Sequence, residues 1–261
     1  MKVAPLHQLP NLKIDSPAIV AACDRIRLEM EKRNGFEEFC WFIREYPRCY
    51  RFHMRGADFR LKTVHNLMRE LRSEILRSTT IRRKGMFEYA LSNMQVSQLY
   101  WDFESFLSEI SIALDLVSRV VGPAFRQQSS PSFNRLCKSD ETHPLIDLFR
   151  TAQKRWVTRL KNYRDCFTHY TPVDTLLTVA LRRYHDQWEV RAKLPTNPNV
   201  RDILGFRFSR RVELLKYACT VHNHMMFFDR RVAKMLLMLH AKGEYPIRKD
   251  HLFFVGRREQ S

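Results

Sequence analysis

Glycine is scarce in this chain, 7 of 261 residues. None of the seven belongs to a GxGxxG fingerprint or a Walker-type phosphate loop, and neither HExxH nor GxSxG occurs. P-loop hydrolysis, zinc proteolysis and serine hydrolysis therefore lack their usual parts. Six cysteines, Cys23, Cys40, Cys49, Cys137, Cys166 and Cys219, are widely scattered, with no CxxC pair to suggest a zinc site or a redox motif. They are expected to be reduced and mostly buried. No apolar run approaches the ~18 residues of a membrane span. The amino terminus, MKVAPLHQLPNLKIDSPAIV, has no apolar stretch ahead of a small-residue cleavage site. The expectation is a soluble, cytoplasmic protein with no membrane partner.

Acidic side chains are the other shortage. Only 28 Asp and Glu stand against 45 Lys and Arg, a formal charge of +17 and a pI near 9.9. Such a charge favours polyanionic partners, nucleic acid before membrane, although it also serves plain solubility. A membrane-surface role ranks below both, because the basic stretch shows no clear opposing apolar face. Apolar residues are plentiful, 44% of the chain, and they recur mostly every three or four positions. A mainly α-helical fold with a buried core is predicted.

Residues 16 to 33 read as a first helix, with Ser16 as N-cap, Pro17 at the first position and Asn34-Gly35 as the stop. A short helix is predicted over 36 to 45, ahead of Pro47, and a longer one from about Asp58 to Arg77. From Arg44 to Lys84 there are 12 basic and 4 acidic side chains, the most basic part of the chain. Between Gly85 and Gln127 only Arg119 and Arg126 face five acids, so a boundary is placed near Gly85. The division is a basic helical N-terminal region, 1–84, a helical bundle, 85–245, and a C-terminal tail, 246–261.

Within the bundle, Leu99, Phe103, Phe106, Ile110, Leu114, Val117 and Val121 form one helical stripe that Gly122-Pro123 ends. Leu145, Phe149, Ala152, Trp156, Leu160, Tyr163 and Phe167 repeat that spacing on a second long helix. The period then changes. Leu177, Val179 and Leu181, followed by Trp188, Val190 and Ala192, alternate about a Tyr-His-Asp-Gln turn, which predicts a β-hairpin. A last stripe, Leu214, Ala218, Val221, Met225, Phe228, Val232, Met235 and Leu239, predicts a helix ending near Gly243.

The second long helix ends in KNYRDCFTHY, residues 161 to 170, which crowds Arg164, Asp165, Thr168 and His169 beside the apolar stripe. On an ideal α-helix, positions four apart share a face, so Arg164 is expected above Thr168 and Asp165 above His169. The grouping suits RNA cleavage. A ribose 2′-hydroxyl attacking the adjacent phosphate needs a proton acceptor, a proton donor for the leaving oxygen, and positive charge at phosphorus. Histidine titrates near neutral pH and arginine offers a fixed, forked phosphate ligand. Asp165 would orient the imidazole. Arginine followed by histidine five positions on also occurs at Arg48/His53 and Arg60/His65, but only Arg164 is followed by a carboxylate and ends a long amphipathic helix.

Over roughly Gly85 to Gly243 the chain resembles the HEPN superfamily (higher eukaryotes and prokaryotes nucleotide-binding). Its hallmark is an arginine, a polar residue, and a histidine four to six positions beyond the arginine, here Arg164, Asp165 and His169. The helix WDFESFLSEISIALDLVSRVVG looks like the family's first core helix. The resemblance implies an HEPN-like helical bundle, often a homodimer with two motifs facing each other. It frequently implies a metal-independent endoribonuclease acting as a toxin or antiviral defence effector, with an antitoxin or defence complex as partner. No cofactor is implied. His169 would be the acid or base, Arg164 the phosphate ligand and Asp165 the orienting polar residue, where asparagine is more familiar. Some members are inactive scaffolds, so a non-catalytic nucleic-acid or protein-binding module is the alternative.

Other residues read two ways. Tyr170 would stack on a base, accept a modification, or simply pack. Thr168 and Arg82-Arg83-Lys84 would contact RNA phosphates, or the basic cluster is a solvated face. Tyr50, Phe52 and Phe59 lie among arginines and would stack unpaired bases or fill the core. His222 and His224 lie two apart, on different helix faces, and cannot share one metal.

Overall fold

The computed structural model describes residues 2–10, 17–33, 36–77, 88–125, 132–170, 178–184, 187–201 and 203–247. Its elements run β1 (Lys2–Val3), α1 (Ala18–Glu31), α2 (Tyr46–Arg77), β2 (Glu88–Leu91), α3 (Met94–Val121), α4 (Phe133–Cys137), α5 (Pro144–Ala152), α6 (Thr158–Asp165), β3 (Val179–Tyr184), β4 (Gln187–Pro195), β5 (Phe208–Glu213) and α7 (Leu214–Ala241). The fold is mainly helical with one small sheet, the expected class. No helix among the described residues is long and apolar enough to cross a membrane.

The chain forms two compact units. One comprises 1–13, 55–110 and 156–224, and the other 14–54, 111–155 and 225–261. Each of α2, α3 and α7 lends part of its length to both.

The first unit holds the sheet. Strands β3 and β4 form the predicted hairpin, with Leu181 opposite Val190 and Val179 opposite Ala192. All four side chains are buried, as is that of Trp188. Strand β2 adds antiparallel to β3, β1 parallel to β4, and β5 antiparallel to β4. The amino-terminal segment is further tied by Arg72 of α2, whose Nη2 donates to the Ala4 carbonyl at 2.8 Å.

Between Glu37 and Arg77 the structure departs from expectation. The short helix predicted over 36 to 45 is a 3-10 turn (Glu37–Phe39) and a π turn (Trp41–Glu45) that run directly into α2, a helix of 32 residues that starts at Tyr46, well before the predicted Asp58. Pro47 does not break it. Its ring would press on the carbonyl four residues back, and here the wide π turn precedes it, within the first turn where the missing N–H costs least. The basic stretch also has a clear apolar face, contrary to expectation: Met54, Ala57, Leu61, Val64, Met68 and Leu71 are all buried. That face is core, so it is not available to a membrane surface.

In the second unit, α1 starts at Ala18 after Pro17, which stands at the N-cap and offers no side-chain cap, while the predicted cap Ser16 and stop Asn34-Gly35 lie outside the described residues. Asp229 of α7 caps the helix instead, accepting from the Ala18 amide at 2.6 Å and the Ile19 amide at 3.1 Å. Tyr50 donates to the same carboxylate at 2.9 Å. Tyr50 is thus a buried structural residue. Phe133, Phe149 and Phe228 form an aromatic core, the last two 5.0 Å apart edge to face.

The three long stripes pack as predicted, except that Met235 is only partly buried. Helix α3 ends at Gly122-Pro123 in a 3-10 turn, and α7 ends at Ala241 just before Gly243, whose φ of 74° is the left-handed conformation glycine adopts freely. Four of the six cysteines are buried and all six are free thiols. The boundary near Gly85 and the tail after 247 fall outside the described residues.

Candidate functional site

Helix α6 is flanked by π turns at Gln153–Val157 and Cys166–Tyr170, so the second predicted helix is one helical run with two widened turns. Its inner side is Leu160, Tyr163, Cys166 and Phe167, all buried. Tyr163 donates to the Pro195 carbonyl on β4 at 2.5 Å, and its ring lies 4.7 Å from that of Tyr217 on α7. Phe167 meets Phe103 of α3 edge to face at 5.6 Å and Tyr100 at 6.0 Å. Burial of the Tyr163 phenol pushes its pKa up, so it remains a hydrogen-bond donor. Two aromatic anchors therefore fix the roll of α6 and turn Arg164, Asp165, Thr168 and His169 outward.

Arg164 and Asp165 engage each other. The guanidinium donates to Asp165 Oδ1 through Nε at 3.0 Å and Nη2 at 2.6 Å. The side chains are 34% and 41% exposed. Asp165 is directed at Arg164, whereas the sequence had suggested His169. Thr168 and His169 are exposed. The Thr168 hydroxyl donates to Glu104 Oε1 of α3 at 2.9 Å. Glu104 is the addition that sequence reasoning missed. Its only signal is its place beside Phe103 on the expected first core helix.

The π turn changes which residues align. On a regular α-helix, about 100° per residue, positions five apart diverge by about 140°. A π turn closes i to i+5 rings, so a position five residues on returns closer to the same side than it would on a regular α-helix. The competing pairs Arg48/His53 and Arg60/His65 both sit in regular α2, where this realignment does not happen. Arg60 is also tied to the buried Asp102 at 2.6 Å.

His222 and His224 go separate ways. Buried His222 bonds through Nε2 to Asp58 Oδ1 at 2.8 Å, while His224 stacks on Trp156 at 5.9 Å. Phe52 and Phe59, with Tyr50 buried, are exposed. The Tyr170 side chain and Arg82, Arg83 and Lys84 lie outside the described residues. No family model, no curated protein and no solved structure matches the chain.

Proposed function

We propose that the protein is a metal-independent endoribonuclease of the HEPN type, with Arg164 and His169 as its catalytic residues. The observation that carries the reading is the π turn at Cys166–Tyr170, which bears an exposed histidine five residues beyond a half-exposed arginine on a helix anchored on its other side. In the proposed reaction the 2′-hydroxyl gives its proton to an imidazole, and its oxygen bonds to phosphorus. The bond from phosphorus to the 5′-oxygen breaks, and that oxygen takes a proton from a second imidazole. The products are a 2′,3′-cyclic phosphate and a 5′-hydroxyl.

A homodimer with facing motifs supplies both imidazoles and doubles the positive charge near the phosphate. Arg164 holds a non-bridging oxygen, and Asp165, gripping Nε and Nη2, sets the plane of the guanidinium. DNA, which lacks the nucleophile, is spared. A toxin or defence effector under the control of a protein partner is the physiological role that fits.

The Arg164–Asp165 pair also favours a second reading. A guanidinium already matched by a carboxylate is a weaker phosphate ligand, which suits a non-catalytic binding module. Incubating wild type and His169→Ala with a mixed RNA pool in EDTA separates the two. Cleavage by wild type alone, leaving cyclic phosphate ends, supports the enzyme. RNA bound by both proteins but cut by neither leaves the module.

A further inference from the structure

Helix α2 carries a phenyl ring on the wrong side. Its buried face, Met54 to Leu71, meets the demands of packing. Diametrically opposite, Arg55, Phe59, Lys62, Asn66 and Arg69 fall within an arc of about 80°. Phe59 is 63% exposed. Arg55, Lys62, Asn66 and Arg69 are exposed as well. An amphipathic helix places polar residues there, and aromatic rings at the solvent pole lose water contact only when something covers them.

Charge selects the cover. Among the described residues no ion pair is formed by Arg55, Lys62 or Arg69, and no acid lies on the arc itself. Neighbouring acids are engaged elsewhere or bound the stripe. Asp58 is buried on His222, Asp102 holds Arg60, and the Glu109 carboxyl lies on the flank, against Gly56. Beyond Arg69 the acids Glu70 and Glu74 line a shallow cleft of about 430 Å³ with Ser73, Arg77 and Gln95, which marks where the stripe stops. Arg60, braced by Asp102, stands 5.7 Å from the Phe59 ring centroid and steadies that ring from one side. A second copy of this chain laid on the stripe would set like charges face to face. A polyanion with flat apolar faces satisfies both the cations and the ring.

We infer that this outward face of α2 binds single-stranded nucleic acid, with a base stacked on Phe59 and phosphates held by Arg55, Lys62 and Arg69. The stripe from Arg55 to Arg69 runs about 21 Å along the axis. Duplexes, whose bases are already stacked, reach only the cations. The inference stands whether or not Arg164 and His169 cut RNA.

The test is fluorescence anisotropy with a labelled 2′-O-methyl oligouridylate, which cannot be cleaved by 2′-hydroxyl attack, alone and annealed to oligoadenylate. Phe59→Ala and Phe59→Leu should each weaken single-strand binding about tenfold, and Phe59→Tyr, which keeps the aromatic face, should restore it. Lys62→Ala should instead lower the slope of log affinity against log salt by about one. Unchanged affinity in Phe59→Ala would overturn the inference. So would equal affinity for single strand and duplex, or a change in sedimentation of Phe59→Ala that revealed a protein interface.

Discussion

Tyr163 donates a 2.5 Å hydrogen bond to the carbonyl of Pro195, 32 residues further along the chain. The bond ties the motif helix to the end of β4 and, with Phe167 against Phe103, decides which side of α6 meets solvent. Tyr163→Phe should cost about 1 kcal/mol in urea unfolding, because the hydroxyl is lost and a buried carbonyl loses its donor. Cleavage should fall too, by less than for a change in the motif itself.

His169→Ala and Arg164→Ala should each reduce RNA cleavage by about 100-fold or more, the scale of a lost proton-transfer group or a lost transition-state charge. Both side chains are accessible, so the unfolding free energy should move by no more than about 0.5 kcal/mol. Arg164→Lys should recover little, since an ammonium cannot grip both Asp165 and a phosphate in one plane. A stable protein whose cleavage rate is untouched by either alanine would end the catalytic reading.

Asp229→Ala should destabilise the second unit by about 2 kcal/mol, because it strips the cap from α1 and leaves the Tyr50 hydroxyl without its acceptor. Tyr50→Phe alone should cost about 1 kcal/mol. The double variant should lose less than the sum, since both changes delete the same hydrogen bond. Chemical denaturation of the four proteins gives the coupling directly.

Glu29 should make stability depend on acid. The hydrogen bond from His240 Nε2 at 3.0 Å, helped by Arg25, holds its carboxyl below the usual 4.5. A carboxyl with a depressed folded pKa contributes stability above its unfolded value, and loses it as pH falls through the folded one. Glu29→Gln should therefore melt below wild type at neutral pH, and the gap should close on acidification below about 4.5. A gap that is constant from pH 7 to pH 3 would show that the ion pair carries no linkage.

Much of the helical scaffold was legible because burial on a helix leaves a 3.6-residue imprint: the stripes from Leu99, Leu145 and Leu214 and the hairpin about residues 184 to 187 all emerge as expected. Strands β1, β2 and β5 were not. They are two to six residues long, and β5, Phe208–Glu213, is half charged, so only pairing with a neighbour makes them strands. Pro47 misled for the converse reason, since the π turn that accommodates it leaves no mark in composition.

Sequence by itself determined the residue types at the candidate site, the apolar face that anchors them and the excess of positive charge, because each is a local property of the chain. Tertiary structure alone decided three things: that the motif helix ends in a π turn at Cys166–Tyr170, that Glu104 reaches Thr168 from another helix, and that Phe52 and Phe59 face outward while Tyr50 faces in. Each depends on how elements distant in sequence pack, and a side chain's direction becomes definite only when the helix that bears it has a partner to roll against.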